Sequence, residues 1–539
     1  MTLDNYLDLR NGSDVRGVAC EGIAGESVTL TAEAVENIAK AFCVWLITHT
    51  GKTQVTIAVG HDSRITAPAL CEAVVKGITS TGHNAVVTGL STTPSMFALL
   101  KDEKQMDELY CHGSIMITAS HLPFNRNGLK FFSHDGGLEG SDVKEILQLA
   151  ATYRFAETTQ IGETITLSYL DTYAANLVAK VRFATGEDTP LAGKKIIVDA
   201  GNGAGGFFAE KVLAPLGANT DGSQFLEPDG NFPNHIPNPE NAAAMRSLCE
   251  AVKATGADLG IIFDTDVDRA GAVDSSGEEI NRNRLIALIS AILLSEKTGT
   301  IVTDSVTSEG LTKFITAKGG KHLRFKRGYK NVINEAIRLN AQGEYTPLAM
   351  ETSGHAALME NYFLDDGAYL ITRLLIAMAK EAKKGNSLSD LIADLEMPAE
   401  AVELRLKFAP DCDFKTLGSQ LIKDFENYAA NLYYAKPAND NYEGLRLLYD
   451  ELHGNGWALI RQSLHDPVLP INVESNVIDG VVKIVKDLYY FLKKYDFLCL
   501  VPFEDYIQNW RTGKVEEVKE KMSTSSKFVH NPKASQKEC

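Results

Sequence analysis

Apolar positions along the first third of the chain follow two alternating periods. Val35, Ile38, Ala39, Phe42 and Leu46 share one face at helical spacing, the stripe of an amphipathic helix. Short β-rich runs follow at 55–59, 85–88 and 114–118, with a helical stretch near 67–80 between the first two. Alternation of this kind predicts an α/β layer with helices packed on a sheet. An amphipathic segment at 167–181 opens a second unit. In it, 195–199 is a compact strand followed by a glycine-rich turn, a helix and another strand at Leu259–Phe263. Residues 301–303 and the helical segments around them predict a third α/β unit. Pro398 marks a boundary, and residues 400–490 form a fourth unit with several strand-like runs, among them 457–461. No low-complexity linker separates these units, so packed domains around shared clefts are expected. Residues 511–539 are Lys-, Ser- and Glu-rich without periodicity, which predicts a disordered tail.

Composition narrows the picture. A chain of 539 residues is too long for one ordinary core, so three or four domains are expected. The formal net charge of −17 argues against nonspecific nucleic-acid binding, which needs clustered Lys and Arg. A small, locally basic site for an anionic metabolite is still compatible with that charge. Eight cysteines are scattered with no CxxC pair, the pattern of a reduced cytosolic enzyme rather than a disulfide scaffold. The acidic start lacks an apolar signal region, and no run of about 18 uncharged apolar residues suggests a membrane span. A cytoplasmic protein with no membrane partner is the expectation, and the pattern specifies no oligomeric state.

Four segments carry chemistry. Asp264-Thr-Asp266-Val-Asp268-Arg269 directly follows the strand Leu259–Phe263. Three carboxylates at i, i+2 and i+4 are costly to hold together unless a cation neutralises them, and hard oxygen ligands suit Mg²⁺. A solvated acidic loop is the bland alternative; an EF-hand fits poorly, because no Asp-x-Asp-Gly loop with a twelfth-position Glu follows. Thr118-Ala-Ser120-His121-Leu-Pro123, with Asn127-Gly128-Leu-Lys130 just downstream, puts a serine, a histidine and a lysine near a strand end. That serine could be a nucleophile or a phosphate carrier, although Ser-His pairs in loops are commonly turn chemistry. Glu351-Thr-Ser353-Gly354-His355 is a polar loop able to bond vicinal hydroxyls, or a plain turn. Arg461-Gln-Ser463-Leu-His465-Asp466-Pro467 collects donors suited to a phosphate, or is an exposed turn ended by proline.

In this order the four segments resemble the signatures of the α-D-phosphohexomutase superfamily: the phosphoserine, metal, sugar and phosphate loops. Asp14-Val-Arg16-Gly17, Gly60-His-Asp62-Ser-Arg64, the glycine-rich run 198–206 and Glu227-Pro-Asp-Gly-Asn-Phe-Pro-Asn234 add to the resemblance, which spans roughly residues 12–485. The resemblance implies three similar mixed-sheet α/β domains plus a C-terminal α+β domain around a central cleft. Its expected boundaries are 1–160 for the phosphoserine domain, 161–278 for the metal-binding domain, 279–398 for the sugar-binding domain and 399–500 for the phosphate-binding domain. A C-terminal extension, 501–539, has no recognised counterpart.

The resemblance also implies roles. Ser120 would carry a phosphoryl group between hexose 1-phosphate and hexose 6-phosphate through a bisphosphosugar, with hexose 1,6-bisphosphate as activator. Asp264, Asp266 and Asp268 would bind Mg²⁺ together with Ser120. Arg16, His121, Lys130 and Arg269 would surround the reacting phosphate, with His355 and Lys130 as proton-transfer groups. Glu351, Ser353 and Gly354 would serve the sugar, and Arg461, Ser463 and His465 the phosphate that is not reacting. Leu464 and His465 depart from the family's small residue and Thr, and Lys326-Arg327-Gly328-Tyr329-Lys330 matches the family's glycine-containing loop only loosely. Thr352 stands where phosphoglucosamine mutases more often carry Gln, which favours a phosphoglucomutase or phosphomannomutase. Two readings from other classes compete. Gly201-Asn-Gly203-Ala-Gly-Gly206 with Asp221 could be a dinucleotide fingerprint of an NAD-dependent oxidoreductase. An inactive sugar-phosphate-binding paralogue is opposed by the presence of Ser120 with all three aspartates.

Overall fold

The computed structural model describes residues 1–155, 158–463 and 466–512. They fall into two compact units: residues 1–285 with 353–391, and residues 286–352 with the chain from 392 onward.

The first unit opens on an eight-stranded mixed sheet. Thr56–His61, Asn84–Leu90 and Gly113–Ile117 run parallel at its centre, close to the three predicted runs. Arg126–Ser133 returns antiparallel beside Gly113–Ile117, and Asp14–Val18 pairs with it in turn. The helix Ala32–Thr50 covers this sheet, capped by the Thr31 hydroxyl and ended by Gly51 in the left-handed region. Its apolar stripe, Val35 to Leu46, is buried among Ile57, Val59 and Ile115.

A four-stranded sheet follows, with Leu259–Phe263 parallel to Ile196–Asp199 and antiparallel to Ala270–Asp274. The glycine-rich turn leads into short 3₁₀ and π turns over 204–216, and the helix preceding Leu259–Phe263 is Ala242–Thr255. An antiparallel pair, Ala356–Leu358 with Leu364–Asp365, and the helix Gly367–Ala382 also belong to this unit.

In the second unit Thr300–Thr303 lies parallel to both Lys321–Arg324 and Leu348–Met350. Beyond Pro398 comes a five-stranded antiparallel sheet in the order Glu400–Lys407, Val468–Ser475, Gly456–Ile460, Leu445–Tyr449, Ala435–Pro437. Helices Phe414–Ala429 and Gly480–Leu492 supply its core. The architecture is the α/β arrangement with a further sheet-containing C-terminal part that the sequence predicts. The region assigned to an extension is ordered at its start: Val501–Thr512 is a helix whose Phe503 and Tyr506 join that core. The rest of the expected disordered tail, 513–539, lies outside the described residues. Among the described residues no helix is long and apolar enough to cross a membrane.

Candidate active site

Both loops with the strongest motifs leave the carboxyl ends of parallel strands, where open α/β sheets bind ligands. Ser120 stands three residues past Gly113–Ile117. Its φ is +51°, left-handed backbone that a residue with a Cβ adopts at a cost of about 1–2 kcal/mol. Several contacts hold it there. The Thr118 hydroxyl accepts the Ser120 N–H at 2.9 Å. Arg64, fully buried, donates to the carbonyls of Ser120, Leu122, Pro123 and Arg126 at 2.5–2.8 Å. Arg64 therefore grips the whole serine loop, a function the Gly60–Arg64 motif did not reveal. The buried Asp62 accepts the Arg64 N–H at 2.9 Å, and burial raises its carboxyl to about 6.

The Ser120 hydroxyl donates to Asp264 Oδ2 at 3.1 Å and accepts from Arg269 Nη2 at 2.7 Å. The same guanidinium nitrogen donates to His121 Nδ1 at 2.6 Å. His121 is thus assigned the neutral tautomer with its proton on Nε2. Burial, then Arg269 and Arg16, push its imidazole well below the ordinary value. Arg16 donates to Asp14 at 2.8 Å and to the Ala119 carbonyl at 3.4 Å.

Asp264, Asp266 and Asp268 are essentially inaccessible to solvent, and their ligand atoms lie within 4.8 Å of one another. Strand register brings Lys130 opposite Met116, and its ammonium bonds Asp268 and sits 3.2 Å from Asp266. Arg269 pairs with Asp264 at 3.0 Å, and Thr93 donates to Asp266 at 2.5 Å. Two cations thus face three carboxylates. Burial and the neighbouring Asp268 push Asp264 well up. In Asp268, burial is outweighed by Lys130, His355 and Arg269, which hold the carboxyl down. Asp266 Oδ1 and Asp268 Oδ1 are buried without a hydrogen-bond partner. Buried polar atoms left so cost about 1–3 kcal/mol, more when charged. All-oxygen donors with two uncommitted atoms and surplus negative charge fit a hard divalent cation.

Val267, between these aspartates, also has positive φ, +66°, an outlier for a β-branched residue. The glycine-rich turn packs under this loop: a Cβ on Gly203 would meet the Thr265 carbonyl oxygen at 2.7 Å, and one on Gly206 the Leu226 carbonyl oxygen at 2.2 Å. The chain's own backbone fills the cradle that a dinucleotide pyrophosphate would need.

Gly354 and His355 lie against the metal-type loop through the Arg269–His355 bridge. A Cβ on Gly354, at φ +96°, would meet the Ala270 carbonyl oxygen at 2.8 Å. His355 Nδ1 is 2.5 Å from Asp365 Oδ2 and 3.8 Å from Asp268 Oδ1. Burial pulls this imidazole down, but the two carboxylates overcome it and raise it to about 9. Asp365 was not a candidate from sequence; its only local signal is its place before Asp366, which caps Gly367–Ala382. Ser353 Oγ is buried without a hydrogen-bond partner.

The second unit holds the other candidates. Glu351 Oε1 accepts the Gly328 N–H at 2.6 Å, which places the glycine-containing loop beside it. Arg461 Nη1 is 3.6 Å from Glu443 Oε1. Ser463 Oγ accepts the Asp466 N–H at 3.2 Å. His465 and Leu464 lie outside the described residues. Glu443 was missed in the sequence, where nothing distinguishes it from any loop acid.

Family models described as phosphoglucomutase/phosphomannomutase, alpha/beta/alpha domains I, II and III match residues 9–157, 171–277 and 281–397. A phosphomannomutase/phosphoglucomutase of Pseudomonas putida is 30% identical over 476 residues, 88% of this chain and 94% of that protein. A phosphoglucomutase of Neisseria gonorrhoeae is 28% identical over 480 residues, 88% of this chain and 95% of that one. The crystal structure of a phosphoglucomutase/phosphomannomutase family protein from Burkholderia thailandensis superposes with a TM-score of 0.72 at 26% identity, covering 92% of this chain and 98% of that one.

Proposed function

Because the chain belongs to the phosphoglucomutase/phosphomannomutase family, we propose that it interconverts hexose 1-phosphate and hexose 6-phosphate with Ser120 as the phosphoryl carrier. The observation that carries this reading is the Ser120 hydroxyl, buried and bonded to both Asp264 and Arg269. Glucose and mannose phosphates are the proposed substrates, and hexose 1,6-bisphosphate the activator that loads the serine.

Phosphoryl transfer needs in-line positioning and neutralisation of spread charge more than covalent help. In the first half-reaction the bond from phosphorus to Ser120 Oγ breaks and one to a sugar hydroxyl forms, leaving a bisphosphosugar. That intermediate turns round, and the second transfer returns a phosphoryl group to Ser120. Arg269 and Arg16 draw off negative charge, and the Nε2–H of His121 is available to donate. Asp264, Asp266 and Asp268, with Ser120, are the residues that would hold Mg²⁺, which when bound supplies further positive charge at the transferring phosphoryl group. The proton of the attacking hydroxyl passes to His355 or Lys130, either of which must enter the step neutral. His355, whose Nδ1 is held at 2.5 Å by Asp365, is the assigned acceptor, because the Lys130 ammonium is committed to Asp268 and Asp266. Glu351 and Ser353 bind sugar hydroxyls in both orientations, and Arg461 and Ser463 hold the phosphate that is not reacting.

Intact-mass analysis after incubation with glucose 1,6-bisphosphate tests the carrier. One added phosphoryl group is expected on the wild type and none on Ser120→Ala; a phosphoryl group retained by the variant would overturn the assignment. A panel of glucose, mannose and glucosamine 1-phosphates tests the substrate class, with turnover expected for the first two.

A further inference from the structure

Arg461 is not alone in its part of the second unit. Glu443 Oε2 accepts the backbone N–H of Arg327 at 2.9 Å and the Ser305 hydroxyl at 2.7 Å. Its other oxygen faces Arg461 at 3.6 Å. One carboxylate, anchored by two neutral donors, therefore roots two arginines from segments 134 positions apart beside each other. The two guanidiniums are close enough that Arg327, after burial, is the chief charge pulling the Arg461 guanidinium down. Like charges are held this close only against shared anions.

Arg327 stands 3.5 Å from Asp304 and 3.9 Å from Glu403, ion-pair separations beyond hydrogen-bond length. Arg461 Nε is buried with no hydrogen-bond partner. Arg405, the most exposed of the three arginines, is paired with Glu403 at 2.7 Å. Arg327, Arg405 and Arg461 together balance Asp304, Glu403 and Glu443. Removing Arg327 would leave the cluster net negative, and a phosphate dianion would then meet repulsion.

We infer that Arg327 is a second guanidinium for the phosphate that is not being transferred, clamping it together with Arg461. The inference rests on the mutase reading and adds to it a binding residue from a loop that resembles the family's only loosely. Two guanidiniums offer planar donor forks to the oxygens of one phosphate, which a lysine's point charge does not reproduce.

The test compares wild type, Arg327→Gln and Arg327→Lys in steady-state kinetics with glucose 1-phosphate, using inorganic phosphate as a competitor. The Arg327 side chain is partly exposed, 23%, so both variants are expected to fold, as thermal melts would report. Losing a charge-assisted bond to phosphate should raise KM about 10- to 100-fold in Arg327→Gln and weaken phosphate inhibition in parallel. Arg327→Lys should raise KM by about 3- to 10-fold. In both variants Ser120 should still accept a phosphoryl group from saturating glucose 1,6-bisphosphate. A KM and a phosphate inhibition constant within 2-fold of wild type in Arg327→Gln would overturn the inference. If that variant does not fold, the same result in Arg327→Lys would do so. Failure of the mutase reading itself looks different: the wild type would then turn over no hexose phosphate and take no phosphoryl group.

Discussion

The strain at Ser120 and the charge surplus beside it are two faces of one residue-scale arrangement. A left-handed backbone at a functional residue persists only where its surroundings over-determine it, and here Arg64 and Thr118 do so. Replacing the serine separates chemistry from strain. Ser120→Gly and Ser120→Ala should both lose phosphoryl transfer, but the glycine variant should be more stable than the alanine variant by about 1 kcal/mol, read from urea unfolding. Equal stabilities would mean the backbone is not strained. The aspartates give a second prediction. With two buried carboxylate oxygens lacking hydrogen-bond partners, Mg²⁺ should raise the melting temperature of the wild type, by linkage worth about 2.7 kcal/mol at a hundred times Kd. Asp266→Asn should keep the fold while losing both the Mg²⁺ response and most activity; an undiminished thermal shift would remove Asp266 from the metal set. Ser120, Asp264, Asp266, Asp268 and Arg269 are legible in the sequence because each motif packs its chemistry into a few residues at a strand end. Asp365, Glu443 and the grip of Arg64 are not, since each acts on partners that no local period links to it.

At the scale of elements, residues 225–239 form a strap within the first unit, tying its two sheets together. Gly230 lies on the turn that carries Arg64: a Cβ there would meet the Ile65 nitrogen at 2.3 Å and the Ser63 carbonyl oxygen at 2.5 Å. Phe232 lies over the Arg64 guanidinium at 5.3 Å, and Asn238 accepts from Arg269 at 3.3 Å. The strap thus touches both arginines that hold the serine loop. Its latch is His235, whose Nε2 meets both oxygens of the buried Asp199 at 3.0 and 2.9 Å. Burial lowers this imidazole, but bonding to Asp199 more than compensates and the group is raised. A raised folded-state value contributes stability in full below the ordinary histidine value of about 6.5 and loses it as pH rises through the raised value. At pH 6, His235→Gln should therefore open residues 225–239 more easily by about 1.5–3 kcal/mol, and the difference should shrink toward pH 9. Hydrogen exchange of these residues measures it, and a pH-independent difference would rule out the ion pair as the latch. In the sequence this segment reads as a hallmark of the second domain, while its contacts with residues 63–65 stay hidden. The helix Ala32–Thr50 is legible by contrast because burying one face imposes a period of 3.6 on its own residues, and the central strands because burial on both faces leaves short continuous apolar runs.

At the scale of the whole molecule, the question is what makes residues on either side of Pro398 one compact unit. Arg446, on the strand Leu445–Tyr449, is almost fully buried and lies 3.6 Å over the Trp457 ring. Its guanidinium donates to the carbonyls of Ser305 and Thr307 at 3.0 and 2.9 Å and to Glu309 at 2.8 Å. Arg324 reaches back to Asp440 at 3.0 Å. Burial of such a charge is tolerable only while these partners remain; removing one member of a buried pair typically costs about 3–5 kcal/mol. Arg446→Met keeps the bulk over Trp457 but strands the Ser305 carbonyl and leaves the Thr307 carbonyl and Glu309 to Arg324 alone. Hydrogen exchange should then show protection falling across 300–324 and 435–475 together, by an amount matching that cost, while strands Thr56–His61, Gly113–Ile117 and Leu259–Phe263 keep theirs. Loss confined to 435–475 would mean that Arg446 stabilises only its own sheet. Loss spread evenly through all these segments would mean that the whole chain unfolds as one cooperative body. The expected result is the intermediate one, because the bonds of Arg446 end on residues of the second unit and its energetic reach should end with them.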